Sequence, residues 1–420
     1  PQVVLPSAEP VVAWHDRFGT WQYDLQKRVN AGQDVGVDLL IGAELIAEAA
    51  AATDGEVAKS LAGFAALLKR PDQRGQATEV ALGGALAELM RRHAPRPFVT
   101  KWPRTERIWV DRERARFSSW YEFFPRSASN DPHRHGTLKD VEAQLDRVAK
   151  LGFDVVYLPP IHPIGRQFRK GKNNSTTAQD GDVGSPWAIG GPEGGHDAVH
   201  PELGTVDDVR RLAASAREKG IDIALDLAFQ CSPDHPYVKQ HPEWFKHRPD
   251  GTIQYAENPP KKYQDIYPFD FECEGYQALW DELLRVTMFW VEQGVRIFRV
   301  DNPHTKPFNF WEWLITKVKA EEPDVLFLSE AFTRPKVMYR LAKLGFTQSY
   351  TYFTWRNDPL SFRKYYEELT SEPVVDFFRP NAWPNTPDIL PEYLQTDARA
   401  AYIVRAVLAA AVNANWGVYG

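Results

Sequence analysis

The sequence predicts a mixed α/β chain whose main body is a closed (β/α)8 TIM barrel, preceded by a β-sandwich remnant and a small helical bundle. Three observations predict it. From about residue 99 strand patterns alternate with helical ones to the end of the chain; the connections 161–204 and 231–276 are longer than crossovers need; and acidic residues stand at or near the ends of three strand patterns. Such alternation implies parallel strands, and a barrel gathers its long loops and working side chains at the strands' carboxyl ends.

Taken in order, residues 1–36 carry short alternating patterns, Val11-Val12-Ala13-Trp14 and Gly19-Thr20-Trp21-Gln22-Tyr23-Asp24-Leu25, which read as the last strands of a sandwich. Residues 37–98 change to helical spacing through Leu39, Ala43, Ile46 and Ala50, then Ala65 and Leu68, with Asp54-Gly55 and Pro71–Gly75 dividing three helices. This bundle holds no clustered ligands and reads as scaffold. In residues 99–420 the strand patterns are Phe117–Phe124, Phe153–Leu158, Ile221–Phe229, Val295–Asn302, Val325–Ala331, Gln348–Phe353, Val375–Arg379 and Asn415–Gly420. Helical patterns separate them, among them Leu138–Leu151, Val206–Lys219, Leu279–Gln293 and Phe310–Ala320. The chain opens on Pro1 and stops at Gly420 inside a strand pattern, and so reads as cut at both ends.

Composition narrows the function classes. Across 420 residues the net charge is −6 with both signs interspersed, which leaves no basic footprint for nucleic acid. No stretch has the apolar length of a membrane span and no secretory leader pattern opens the chain. Two cysteines, Cys231 and Cys273, are too few for a disulfide framework or a zinc site, so the expectation is a soluble, cytoplasmic protein with no metal and no cofactor. The 14 tryptophans and 16 tyrosines exceed what a core alone needs and offer platforms for sugar faces, with Trp187 and Trp383 as candidates.

The chemistry centres on Gly294-Val295-Arg296-Ile297-Phe298-Arg299-Val300-Asp301-Asn302-Pro303-His304. Side chains alternate along a strand, so Ile297, Arg299 and Asp301 share one face, and charge on a packed face requires partners. A buried Arg–Asp pair that merely pins a core would look the same locally. Glu330 ends the next strand pattern, and Asp226 stands on the inner face of Ala224-Leu225-Asp226-Leu227-Ala228. Arg299 favours the ionised form of Asp301, whereas Phe327, Leu328, Ala331 and Phe332 disfavour it for Glu330. Two carboxyls with separated proton affinities suit retaining glycosyl transfer, in which one attacks the anomeric carbon and the other serves as acid, then base.

These residues resemble the signature regions of the α-amylase clan, glycoside hydrolase family 13, so the barrel is expected to be of α-amylase type. Within the clan the chain is most similar to the bacterial maltosyltransferases that use maltose 1-phosphate. The similarity runs through Val300–Pro307, Ala256-Glu257-Asn258-Pro259-Pro260-Lys261-Lys262-Tyr263, Leu344-Gly345-Phe346-Thr347-Gln348 and Asn381–Leu390. The resemblance implies Asp301 as nucleophile, Glu330 as general acid/base and Asp388 as a third carboxylate that stabilises the transition state. It places Lys170, Gln230, Asn258, Lys261, Tyr263, Arg299 and Asn302 around the donor and its phosphate. Gln230-Cys231 and Asn385-Thr386-Pro387-Asp388 depart from the wider clan, each lacking a histidine that ordinary amylases set against the sugar. Lys170 and Lys172 alone read equally well as a solvated basic loop. His196 and His304, without metal-ligand company, are expected to wall the pocket. The implied partners are maltose 1-phosphate as donor and an α-1,4-glucan as acceptor, with a homodimer in the full-length protein. An α-glucan hydrolase or transglycosidase that ignores phosphate is the competing reading, and a glucan-binding barrel without activity is the third.

Overall fold

The computed structural model describes residues 12–103, 109–131, 133–396 and 398–420. It divides into two compact units, one ending at Trp109 and the other running from Val110 to Gly420.

The first unit is helical almost from its start. Arg17–Asn30 is a helix capped by Asp16, whose carboxylate accepts from the Gly19 amide at 2.8 Å. The strands expected within residues 14–36 are therefore absent, and only Val12–Ala13, paired with Thr100–Lys101, is extended. Residues 1–11 of the expected sandwich remnant lie outside the described residues. The reason is visible in the pattern: Phe18, Trp21 and Leu25 are the buried residues, spaced three and four apart as on a helical stripe, while Trp21, Tyr23 and Leu25 taken by themselves also satisfy a short alternation. Four further helices, Gly36–Ala51, Gly55–Leu68, Arg74–Ala81 and Gly84–His93, replace the three expected, the last break falling at Gly83. Their core joins Leu39, Ile46, Leu61, Leu68, Leu86 and Met90 to the first helix.

The second unit is the barrel. Its strands are β1 (Ser118–Glu122), β2 (Val155–Leu158), β3 (Asp222–Leu227), β4 (Ile297–Asp301), β5 (Leu326–Glu330), β6 (Gln348–Tyr350), β7 (Pro380–Ala382) and β8 (Asn415–Tyr419). Every neighbouring pair is parallel, and β8 closes on β1. Seven strands fall where the alternation puts them. The seventh does not: Val374–Asp376 is a single helical turn with Val375 half exposed, and the strand begins at Pro380. Asn381 and Ala382 provide the burial that a central strand requires, and the Asn381 amide donates to Gln348 Oε1 at 2.9 Å. Helices Leu138–Lys150 and Val206–Glu218 open with reciprocal capping boxes at Thr137/Asp140 and Thr205/Asp208, which fixes where each crossover starts. Among the described residues no helix is long and apolar enough to cross a membrane.

Inside the cylinder Trp120, Val155, Tyr157, Ala224, Ile297, Leu326, Leu328, Tyr350 and Trp383 form a packed plug. Trp383 is fully buried and stacked on Tyr350, with ring centroids 5.2 Å apart, so it is core and not a sugar platform. The plug fills the barrel below its carboxyl rim, and beneath it the strands' amino ends carry a small buried polar network in which Gln348 Nε2 donates to Ser118 Oγ at 3.1 Å and to Asn415 Oδ1 at 3.0 Å.

Candidate active site

Parallel register sets the site. Asp301 lies abreast of Glu330 across the β4–β5 ladder, and Arg299 abreast of Asp226 across β3–β4. Neighbouring strands run about 5 Å apart, so the ends of β4 and β5 bring their two carboxyls to one rim. Arg299, 6% exposed, is the hub: Nη1 donates to Asp301 Oδ1 at 2.9 Å and to Asp226 Oδ2 at 3.0 Å, and Nη2 lies 3.6 Å from Glu330 Oε1. The three carboxylates singled out in the sequence thus meet around one guanidinium.

The surroundings separate their proton affinities. Burial pushes Glu330 up to about 7, with Arg299 opposing and Asp301 adding to the rise. Burial also raises Asp226, against Arg299 and against donation from Tyr157 Oη at 2.6 Å and Trp187 Nε1 at 3.2 Å. Asp388 reaches the same centre from the loop after β7; burial of its carboxyl raises its pKa, Arg299 lowers it and Asp301 raises it. Asp301 accepts from the same Nη1 that serves Asp226, and the Asn302 side-chain amide donates to Asp301 Oδ1 at 3.4 Å.

Above the rim opens a cleft of about 1360 Å³, lined from below by Asp301, Asn302, His304, Lys306 and Asp388. Its walls come from the two long connections: Lys170, Gly171, Asn173, Asn174 and Trp187 from the first, Gln230, Asn258, Tyr263 and Asp265 from the second. Lys170 Nζ stands 6.0 Å from the Tyr263 ring centroid, so two loops distant in sequence present a cation and a phenol side by side. Lys172 and Lys261 are exposed and do not line the cleft; Lys261 sits in a hairpin strand, opposite Asn258. Gln230 lines it and donates to the Trp187 carbonyl at 3.3 Å. Trp187 is the sugar-platform candidate that does face the cleft.

The histidines divide. His304 lines the cleft, and its buried Nδ1 has no hydrogen-bond partner among the described residues. His196 does not wall the pocket, and it has the company the sequence did not suggest: its ligand atom, those of Cys231 and His235 all lie within 4.8 Å of one another, all three residues buried. His196 Nε2 bonds the Ala228 carbonyl at 3.0 Å, His235 Nδ1 accepts from the Tyr237 amide at 3.0 Å, and His196 Nδ1 meets His235 Nε2 at 3.0 Å. These partners fix neutral tautomers in which His235 Nε2–H donates to His196, so every ring nitrogen is already committed and the two histidines form a hydrogen-bonded seam beside the Cys231 thiol. Burial lowers His196 to about 4 and His162 to about 3, which keeps the seam neutral. Burial likewise pushes the Cys231 thiol up, away from thiolate chemistry.

Sequence reasoning missed Glu122, Tyr157 and Lys306. Glu122 closes β1 on the inner face, 1% exposed, with Oε2 lacking any partner among the described residues. Burial raises its pKa well above the usual carboxylate range, Arg299 opposing, Asp226, Asp388 and Glu330 adding. The period-two argument applied to Trp120-Tyr121-Glu122 would have found it. Lys306 follows a turn and carries no such signal.

Comparison with known proteins follows the same lines. A model of the α-1,4-glucan:maltose-1-phosphate maltosyltransferase N/S domain matches residues 10–112, and a model of the α-amylase catalytic domain matches residues 122–281. An α-1,4-glucan:maltose-1-phosphate maltosyltransferase of Myxococcus xanthus is 55% identical over 413 residues, covering 97% of this chain and 62% of its own length. The enzyme of the same name from Mycolicibacterium smegmatis is 53% identical, covering 97% and 59%. The chain therefore spans about three fifths of the curated relatives it matches. Among solved structures, an α-amylase of Geobacillus thermoleovorans complexed with acarbose superposes with a TM-score of 0.55 at 18% identity, over 75% of this chain and 71% of that one, which shows a shared fold.

Proposed function

Over nearly all of its length this chain is a homologue of the α-1,4-glucan:maltose-1-phosphate maltosyltransferases, carrying an α-amylase catalytic domain, and on that premise we propose that it transfers a maltosyl unit from α-maltose 1-phosphate to the non-reducing 4-hydroxyl end of an α-1,4-glucan. The observation that carries the reading is the shared guanidinium: Arg299 touches Asp226 and Asp301 and lies close to Glu330, with Asp301 and Glu330 abreast on adjacent strand ends. In this reading Asp301 attacks the anomeric carbon as the bond to the phosphate oxygen breaks, leaving inorganic phosphate and a β-linked maltosyl-enzyme. Phosphate has a second pKa of ~6 and departs with little protonation, so Glu330 matters less as acid than as base. It then takes the proton of the acceptor's 4-hydroxyl, the oxygen attacks the anomeric carbon, Asp301 leaves, and the α configuration is retained. Asp388 stabilises the positive charge that develops on the ring in the transition state of each step.

Lys170 with Tyr263 and Asn258, joined by Gln230 and Asn302, supports a phosphate-bearing donor, since lysine suits phosphate as a point charge and the others supply hydrogen bonds. Lys261 belongs to this set only if the hairpin Ala256–Tyr263 folds toward the donor. Residues 37–98 act as scaffold and 99–420 as the catalytic region. Two buried, unpaired cysteines support a cytoplasmic location, and a homodimer of the full-length protein is carried over from the resemblance.

The test is phosphate release from α-maltose 1-phosphate in the presence of glycogen. The expected result is inorganic phosphate matched by growth of the glucan. Free maltose without chain growth would favour the hydrolase reading, and no phosphate at all would overturn the assignment.

A further inference from the structure

Asp301 is followed by a backbone reversal that no glycine supports. Asn302 takes a left-handed conformation, φ 43° and ψ 54°, which asparagine tolerates better than most residues but which still requires its surroundings to hold it. The turn does two jobs at once. It ends the strand that carries Asp301, and it aims the Asn302 amide at Glu330 Oε2, 3.2 Å away. Whatever holds the turn therefore holds both reacting carboxyls.

Lys306 holds it. The side chain is 9% exposed, and Nζ donates to the carbonyls of Asp301 and Asn302, each at 3.3 Å. Thr305 Oγ1 adds a bond to the Asn302 carbonyl at 2.8 Å, and the Trp311 indole takes the Pro303 carbonyl at 2.8 Å, so the far side of the turn is anchored to the helix Phe308–Glu321. A lysine buried this far needs a reason, because desolvating an ammonium is costly unless its charge is used. The charges around it are Asp301, Glu330, Asp226 and Arg299, with His304 alongside; burial lowers its pKa, the three carboxylates raise it and Arg299 lowers it. It is the second cation of a rim in which Arg299 alone faces at least four acidic groups.

We propose that Lys306 is a positioning residue for the reacting carboxyls: its ammonium clamps the left-handed turn after Asp301 and so fixes the nucleophile and Glu330 relative to each other while adding positive charge beneath them. The proposal rests on the maltosyl-transfer reading, and the wild-type enzyme run in the same assay separates the two: wild-type inactivity sinks that reading, and only a difference between variants bears on Lys306.

The experiment compares Lys306→Met and Lys306→Arg with wild type in the full-length protein, following phosphate release from maltose 1-phosphate across pH. Lys306→Met should lower kcat by ~10- to 100-fold, the scale expected when reacting groups lose their alignment, with KM for the donor within about twofold. Its acid limb should move upward by about one pH unit, because removing a nearby positive charge makes Glu330 harder to ionise. Lys306→Arg keeps the charge and should keep the limb at its wild-type position with kcat only partly restored. An unchanged kcat and limb in a Lys306→Met protein that merely melts earlier would overturn the proposal, as would a rise in KM with kcat intact. If Lys306→Met does not fold, Lys306→Gln, which removes the charge and retains a donor, carries the same comparison.

Discussion

Arg299 governs what each acidic side chain at the rim can do, because a single buried guanidinium is divided among several carboxyls. Asp301 accepts from it at 2.9 Å; Glu330, 3.6 Å away and buried, is pushed up to about 7. The sign of the pH dependence follows. A base with a raised pKa becomes competent only as pH rises through that value, so the rate of transfer to the acceptor should rise with a midpoint near 7 instead of near the ordinary glutamate value of about 4.3. Initial rates across pH check this, and a limb lying below about pH 5 would show that Glu330 is not the base. Arg299, Asp301, Asp226 and Glu330 were legible in the sequence because a strand's period of two puts charges on a packed face, where they have to be explained. Asp388 was not legible in that way, since it comes from a loop and only the resemblance named it. Lys172 and Lys261 show the limit of the same reasoning: charge in a loop has no period, and of the basic residues named there Lys170 faces the cleft while these two do not.

At the level of elements, periodicity over long runs was informative and over short runs ambiguous. Eight strand patterns correspond to the eight barrel strands, but Val375–Arg379 falls ahead of its strand because Phe377 and Phe378 belong to a satellite cluster with Tyr339 and Tyr365. The helix Arg17–Asn30 reads as a strand in the sequence because Trp21, Tyr23 and Leu25 alternate, and only Phe18 and the Asp16 cap mark it as helical. Two glycines in the bundle test how its helices are built. Gly63 lies in Gly55–Leu68 with open space where a Cβ would stand, so Gly63→Ala should stabilise the unit by about 1 kcal/mol through backbone entropy. Gly42 lies in Gly36–Ala51 with Trp21 ring atoms only 2.0 Å from that point. Gly42→Ala has the same helix propensity gain and should nonetheless destabilise by ~1–3 kcal/mol, because the buried indole must move. Thermal melts of the two variants should shift in opposite directions; a rise for both would mean the first helix does not pack as described.

For the whole molecule, closure of the barrel is what turns dispersed residues into a site. Asp226, Asp301, Glu330 and Asp388 are spread over more than a third of the chain; parallel register delivers the first three to one rim above a packed plug, and the loop after β7 brings Asp388 to them. The long connections, legible in the sequence by length alone, then wall the cleft, and their pairing of Lys170 with Tyr263 could not have been read from either loop separately. The central claim is that Asp301 carries the sugar between donor and acceptor. Intact-mass and peptide mass spectrometry of Glu330→Ala after brief exposure to maltose 1-phosphate tests it most directly, because loss of the base should strand the intermediate. One maltosyl unit on the peptide containing Asp301 is the predicted result; an adduct on a different carboxylate, or rapid turnover with no adduct, would contradict it.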